Sequence, residues 1–237
     1  IVADERLPVA QRFSVVNEVV RGVLRESFRR GNIDHTVKET SALSEHVVDL
    51  VCRDDEILLE LNSVLHFDYS TFTHSANVAY YTLILASTLG ITDRAVLRKI
   101  GIGALLHDIG KLGIPEKILL KPGRLAPEEW NVLRSHPAKG LMALREQDQL
   151  EFGQLMMVYQ HHERIDGTGY PVRLVGDEIH EWARICAVAD VYEALTSNRP
   201  YRRALPAVEA FEVIEKGEGS GLEPEFLQCW KQTITQS

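Results

Sequence analysis

The chain has 237 residues, of which 45% are hydrophobic and 25% charged, a composition typical of a globular protein. Its formal net charge of -8 disfavours binding to a nucleic-acid polymer, but it allows a small anionic ligand held by local cations. No apolar run approaches the roughly 20 residues that a membrane helix needs, and no signal segment is recognisable. The three cysteines have no CxxC spacing, which favours a reducing cytoplasm over a disulfide framework.

The first 65 residues show apolar side chains at helical spacing and no cluster of chemically active groups. Three helical runs are predicted near 10–30, 36–52 and 55–65. Residues 1–65 are therefore interpreted as a helical lead-in, and pairing of the amphipathic first helix with its copy is a hypothesis for a homodimer. Because residue 1 is isoleucine rather than methionine, an upstream sensor or regulatory domain is also expected.

Residues 66–237 are predicted to be the main domain, and here histidines and aspartates occur at or beside apolar helical runs. His74 lies on the apolar stripe of a helix near 70–89. The next helix is capped by Thr92 or Asp93 and ends at His107-Asp108. A histidine and an aspartate at a buried helix end are costly unless they are paired or bind a metal.

The second half of the chain repeats this pattern. A helix opened by Pro127 is predicted to end near His136-Pro137, and the apolar run after residue 152 leads to His161-His162. Asp190 lies beside the apolar face of a helix near 181–197, and no alternating pattern is long enough to build a sheet. The predicted fold is all-α.

Neutral imidazole and carboxylate are ligands that borderline and hard transition metals accept. Seven such groups favour two metal ions over one: His74, His107, Asp108, His136, His161, His162 and Asp190. The basic loop Asn198–Arg203 follows, and near a metal pair its arginines would bind phosphate through their forked guanidinium groups.

These motifs together resemble the HD-GYP domain, the helical metallophosphodiesterase branch of the HD superfamily that acts on cyclic di-GMP. The resemblance covers about residues 66–235. His-Asp-x-Gly-Lys is present at 107–111, and His-His-Glu-x-x-Asp-Gly-x-Gly-Tyr-Pro is complete at 161–171. Asp190 opens an Asp-x-Tyr-x-Ala-Leu-Thr segment, and the Arg-Pro-Tyr element begins at Arg199.

The resemblance implies a role for each of these residues. One metal would be held by His74, His107, Asp108 and Asp190, and a second by His136, His161 and His162, with Asp108 as the bridge. Lys111 would act with Asp108 in catalysis and contact the scissile phosphate or the leaving oxygen. Arg199, Arg202 and Tyr170 would bind substrate. Glu163 and Asp166 either orient ligand histidines or hold the turn.

Three positions depart from the family pattern. Some members hold a third metal through a glutamate where this chain has Ser70, so a dinuclear site is expected. Glu193 replaces a common aspartate, and Leu222-Glu223-Pro224 replaces Phe-Asp-Pro. Neither Glu193 nor the Leu222-Glu223-Pro224 segment is expected to touch a predicted metal ligand.

The implied activity is hydrolysis of cyclic di-GMP to pGpG, and in a second step to GMP, by a metal-bridging hydroxide. Iron or manganese is expected first, with nickel or zinc as alternatives. Two other readings stay open: a module that binds the nucleotide or a protein partner without cleaving, and an HD phosphohydrolase acting on another nucleotide.

Overall fold

The computed structural model describes residues 8–53, 71–199, 202–218 and 221–235. No strand is present within these ranges, and the all-α prediction is confirmed. Two 3-10 turns, Ile109–Gly113 and Gly176–Glu178, and a π-helical turn, Ile214–Glu218, lie between helices. The α-helices are α1 (Val9–Arg30), α2 (Ile33–Arg53), α3 (Thr71–Thr88), α4 (Arg94–Leu106), α5 (Glu116–Leu119), α6 (Pro127–Leu133), α7 (His136–Leu144), α8 (Phe152–Gln160), α9 (Glu181–Thr196), α10 (Ala207–Val213) and α11 (Pro224–Thr235).

Helices α3, α4 and α9 form the centre of the bundle, with α2 and α8 packed against α4. Their sequences are apolar on more than one face, as is typical of helices surrounded by neighbours. Tyr81, Tyr192 and Trp230 meet edge to face in one corner of the core, where α3, α9 and α11 come together. This packing fixes the helices whose ends carry the predicted ligands.

Most predicted helices have the expected positions. Asp93 caps α4, because its side chain accepts a hydrogen bond from the Ala95 backbone N–H at 2.7 Å. The prediction that a helix ends near His136-Pro137 is wrong: α6 ends at Leu133 and His136 begins α7. Proline is tolerated in a first helical turn, where its missing N–H has no partner to lose. The helix predicted near 55–65 lies outside the described residues.

The N-terminal helices share the core of the rest of the chain. Phe13, Val20 and Leu24 of α1 are fully buried, and the Phe13 ring contacts Tyr80 of α3 at 4.9 Å between centroids. The apolar face that suggested a homodimer is therefore occupied within the chain, and the homodimer stays a prediction. The boundary predicted at residues 65–66 lies in a range that the structure does not describe.

No helix among the described residues is long and apolar enough to cross a membrane.

Gly110 brings the 3-10 turn after Asp108 into direct contact with helix α7. A Cβ atom at this position would overlap the carbonyl oxygen of His136 and the backbone nitrogen of Gly140. Only glycine allows so close an approach of two backbones. The approach places Asp108 and His136, two predicted ligands, on adjoining segments.

Substituting Gly110 by alanine is expected to lower the free energy of unfolding by about 3 kcal/mol, because two backbones must separate. Gly22→Ala is the matched control, since a Cβ there meets nothing within 4 Å. That control should be neutral or stabilising by up to about 1 kcal/mol, because alanine is the better helix former. Urea unfolding of both variants measures the difference. Equal stability of the two would contradict the close-approach argument.

Candidate metal centre

Helix ends deliver most of the predicted ligands to one buried place. His107 is the C-cap of α4 and Asp108 follows it; His136 is the first residue of α7. His161 is the C-cap of α8, with His162 next in the chain. His74 and Asp190 project from within α3 and α9. A residue at a helix end can aim its side chain past its own helix, so several elements can converge on one point.

The seven predicted ligands form two adjoining groups. His74, His107 and Asp190 form one, and Asp108, His136, His161 and His162 form the other. Within each group, one potential ligand atom per residue lies within 4.8 Å of all the others. All seven residues are buried except His162, which is half-buried. The structure thus brings together every residue that the sequence analysis assigned to metal, but it groups Asp108 with His136, His161 and His162, whereas the prediction placed it with His74, His107 and Asp190.

The Asp108 carboxylate lies between the groups and turns one oxygen towards each. Its Oδ2 is 3.5 Å from His74 Nε2 and 3.4 Å from His107 Nε2. Its Oδ1 is 3.2 Å from His136 Nε2 and 3.9 Å from His161 Nε2. This division is what a carboxylate that bridges two cations requires.

Asp190 also faces both groups. Its Oδ1 lies 3.1 Å from His74 Nε2, and its Oδ2 lies 3.7 Å from His162 Nδ1. The family resemblance placed Asp190 with the first metal alone. In this structure its second oxygen faces the second group.

Backbone carbonyls fix the orientation of three ligand rings. His107 Nδ1 donates to the Ala104 carbonyl oxygen at 2.6 Å, and His136 Nδ1 donates to the Leu133 carbonyl oxygen at 2.9 Å. His161 Nδ1 lies 3.1 Å from both the Met157 and Val158 carbonyls. Because a carbonyl only accepts, the proton is on Nδ1, and the Nε2 lone pair faces the cluster.

Glu193 plays the same part for His74, and the prediction that it touches no ligand is wrong. Its Oε2 lies 2.5 Å from His74 Nδ1. Asn77 Nδ2 and Ser197 Oγ donate to Oε1 at 3.1 and 2.7 Å. Sequence reasoning missed this because Glu193 lies 119 residues from His74 and occupies a variable position of the Asp-x-Tyr-x-Ala-Leu-Thr segment. The other departure, Glu223, pairs with Arg184 at 2.6 Å.

The charges of the cluster favour a bound cation. Burial acts against protonation of His74, but Glu193 and Asp190 outweigh it and raise its pKa to about 9. Burial and the neighbouring histidines hold the pKa values of His161 and His162 well below the usual range, so both rings are neutral. Burial opposes ionisation of Asp108, but the Lys111 ammonium overcomes it and holds its pKa well below normal.

The residues present fit a divalent metal. His107 Nε2 and Asp108 Oδ1 are buried polar atoms without a hydrogen-bond partner among the described residues. Such orphan atoms are expensive unless they ligate an ion. Five imidazoles and two carboxylates supply neutral nitrogen and charged oxygen donors, the set that first-row transition metals accept.

Lys111 lies at the edge of this cluster. Its Nζ donates to Asp108 Oδ2, and the residue is half-buried. The ammonium therefore stands beside the carboxylate oxygen that faces the first group. The structure brings it to the cluster as the sequence predicted.

Glu163 and Asp166 hold the loop that follows the two histidines. The Glu163 carboxylate accepts backbone N–H bonds from residues 172, 173 and 174 at 2.6–3.1 Å. Asp166 Oδ1 accepts from the Thr168 backbone at 2.9 Å and from its hydroxyl at 2.6 Å. A Cβ at Gly169 would overlap the backbone of Arg164 and Glu163. Of the two open readings, this geometry supports the turn-holding one.

The loop presents the Tyr170 ring to the cluster. It stacks on His162 with 4.7 Å between ring centroids and an interplanar angle of 27°. The guanidinium carbon of Arg134, a residue that the sequence analysis did not single out, lies 5.3 Å from the Tyr170 ring centroid.

The two predicted phosphate-binding arginines, Arg199 and Arg202, contact groups outside the ligand cluster. Arg199 reaches Glu193 Oε2 at 3.5 Å, so it stands behind His74. Arg202 donates to the carbonyls of Ala194 and Leu195 at the end of α9, the latter at 3.1 Å. Substrate binding by both residues stays a prediction. Ser70, Pro200 and Tyr201 lie outside the described residues.

The family model for the HD domain matches residues 47–226. The chain belongs to the HD domain family. The family resemblance inferred from the motifs is thereby confirmed, and relatives of this HD domain support it. A cyclic di-GMP phosphodiesterase of Pseudomonas aeruginosa is 37% identical over 194 residues, covering 82% of this chain and 46% of that protein.

Two further relatives carry related names. A cyclic di-GMP phosphodiesterase of Thermotoga maritima is 32% identical over 222 residues, covering 91% of this chain and 60% of that protein. The 3'3'-cGAMP-specific phosphodiesterase 3 of Vibrio cholerae is 40% identical over 166 residues, covering 69% of this chain and 35% of that protein. This HD-domain chain therefore spans about half the length of the curated relatives it matches.

Among solved structures, an HDG"Y"P protein from Bdellovibrio bacteriovorus superposes with a TM-score of 0.83. The match covers 98% of this chain and 74% of that one at 20% identity. At this identity the likeness supports the helical HD fold, including helices α1 and α2, and nothing finer.

Glu193→Gln is expected to weaken divalent-metal binding by about 10- to 100-fold, because the charge that orients His74 is lost. The measurement is competition for Mn²⁺ or Fe²⁺ against a fluorescent chelator. Glu223→Gln is the matched control. It also changes a glutamate to glutamine at a position that departs from the family pattern, but the Glu223 carboxylate pairs with Arg184. Equal metal affinities of the two variants would contradict the orienting role of Glu193.

Proposed function

We propose that this HD domain hydrolyses a cyclic dinucleotide, with cyclic di-GMP as the first candidate. The observation that carries the proposal is the division of seven potential metal ligands, six of them buried, into two groups that share the Asp108 carboxylate. Relatives at 32 and 37% identity are named cyclic di-GMP phosphodiesterases, which supports the substrate class. The reaction adds water across a P–O3' bond and opens the ring to pGpG; a second cleavage gives GMP.

We infer that the donors hold two divalent ions, iron or manganese before nickel or zinc. His74, His107, Asp108 and Asp190 would hold one, and His136, His161 and His162 the other, with Asp108 shared. When bound, a pair of cations neutralises phosphate charge and activates the attacking water. Asp108 would set the spacing of the pair, since its two oxygens already face different groups.

Lys111 is assigned to the charge that develops during the reaction. Its Nζ stands beside Asp108 Oδ2 and is half-buried, so it can donate a hydrogen bond to a phosphate oxygen or to the leaving 3'-oxygen. Tyr170 would form a wall of the substrate pocket, because its ring covers His162. Arg199 and Arg202 are assigned to substrate phosphates or guanine on the strength of the motif, and their described contacts add no support.

The chain is proposed to divide near residue 65, with a helical lead-in at 1–65 and the phosphodiesterase domain at 66–237. The lead-in would join the catalytic domain to an upstream regulatory segment. A cytoplasmic location, where cyclic dinucleotides are messengers, is part of the same proposal.

A second candidate substrate is 3'3'-cGAMP. A 40%-identical relative is named as specific for it, and the ligand cluster is equally suited to its two phosphodiesters. Turnover of cyclic di-GMP, 3'3'-cGAMP and linear pGpG, measured side by side on one preparation, separates the candidates. A chain that binds cyclic di-GMP but leaves all three intact would be a binding module.

Asp108→Asn is expected to lower cyclic di-GMP turnover by about 10³-fold or more, because an amide cannot supply two anionic ligand oxygens. Anaerobically prepared protein should hold about two metal ions per chain, and the variant fewer. The measurements are metal content and pGpG formation on the same sample. Asp148→Asn makes the same change at an exposed position and should alter neither. Unchanged turnover in Asp108→Asn would refute the mechanism.

A further inference from the structure

An exposed tryptophan and an arginine lie one turn apart at the end of helix α6. Trp130 is 46% exposed, and Arg134 is the C-cap of the helix. The guanidinium carbon of Arg134 lies 5.5 Å from the centre of the Trp130 ring. Their i, i+4 spacing puts both on one helix face, where they form an aromatic and cationic surface that we call the Trp130–Arg134 platform.

The platform is connected to the metal centre through the Tyr170 ring. The same guanidinium carbon lies 5.3 Å from the centre of that ring, and Tyr170 in turn stacks on the ligand His162. Contacts therefore run from Trp130 on the surface, through Arg134 and Tyr170, to a residue of the second ligand group. A substrate whose phosphate lies at the cluster has the platform at the rim of the same site.

Arg134 also differs from the other arginines near the site in its charge environment. No carboxylate in the described ranges forms an ion pair with it, and its described side-chain contacts are with the two aromatic rings. Arg199, by contrast, faces Glu193, and Arg202 donates to carbonyls at the end of α9. Arg134 thus presents a charge that nearby carboxylates do not neutralise, and such a charge attracts an anion.

We propose that the Trp130–Arg134 platform is a nucleobase subsite, on which one purine of the cyclic dinucleotide stacks. Trp130 supplies the aromatic face, and Arg134 supplies a planar cation that stacks on the base while its N–H groups face the adjoining phosphate. This inference rests on the proposed function. It adds the residues that would hold the base and so set the position of the scissile phosphate.

The kinetic test compares Trp130→Ala and Arg134→Ala with the unmodified chain, using cyclic di-GMP. Each variant should raise KM by about tenfold and change kcat by less than about threefold, because the base is bound away from the reacting atoms. Metal content should stay the same. Arg145→Ala is the control. It removes an exposed arginine at the C-terminal end of α7, whereas His136 begins that helix, and it should leave KM unchanged.

Arg134→Lys tests whether the planar guanidinium, rather than charge alone, is used. Lysine keeps the charge but cannot stack as a plane, so this variant should resemble Arg134→Ala more than the unmodified chain. Full recovery of KM by lysine would overturn the stacking role.

Tryptophan emission gives a readout that does not depend on turnover. Rapid mixing with cyclic di-GMP should quench the emission before product forms, and Trp130→Phe should abolish most of that quenching. Quenching that persists in Trp130→Phe would place the base elsewhere and overturn the subsite.

Failure of the proposed function and failure of the subsite give different results. If the unmodified chain neither binds nor cleaves any cyclic dinucleotide, the proposed function fails and the subsite with it. If the chain cleaves cyclic di-GMP but Trp130→Ala and Arg134→Ala keep the original KM, only the subsite is refuted.

Discussion

The buried Asp108 carboxylate is the constraint on which the rest of the structure depends. It is 1% exposed, and a charge so far from water is stable only beside opposite charge or well-placed donors. Lys111 supplies one partner, and a cation held by the imidazoles on both sides would supply the other. The ends of α4 and α8 and the start of α7 must converge for this to happen, and Gly110 permits the closest of these approaches. The helical bundle can therefore be understood as the frame that holds one carboxylate between two sets of rings.

Much of the site could be predicted from the sequence because its ligands are encoded in short local motifs. His107-Asp108 and His161-His162 each stand at the end of an apolar helical run, so periodicity alone indicated that they are buried. The helices themselves followed from apolar spacing and from a cap such as Asp93. What the motifs could not give was the orientation of each ring, since that depends on carbonyls and carboxylates supplied by the surrounding fold.

Glu193 shows what the sequence alone could not predict. Its place in the sequence shows only that a glutamate replaces a common aspartate, and nothing local indicates that α9 presents it to His74 on α3. The same holds for the arginines. A motif identifies Arg199 and Arg202 as cations, but a guanidinium is available to a ligand only if nearby acceptors leave it so. Arg202 meets the carbonyls that every helix leaves unpaired at its C-terminus, which sequence reasoning did not take into account.

Glu193 also joins two parts of the site that the sequence treats as separate. Its Oε2 contacts His74 Nδ1 and lies 3.5 Å from the Arg199 guanidinium, while Oε1 is held by Asn77 and Ser197. A carboxylate fixed on one oxygen in this way cannot follow Arg199 without disturbing His74. The basic loop after α9 and a ligand of the first group are thus mechanically coupled through one side chain. A substrate phosphate that drew Arg199 away would leave the Oε2 atom of Glu193 to His74, strengthening the hydrogen bond that orients this ring towards the cluster.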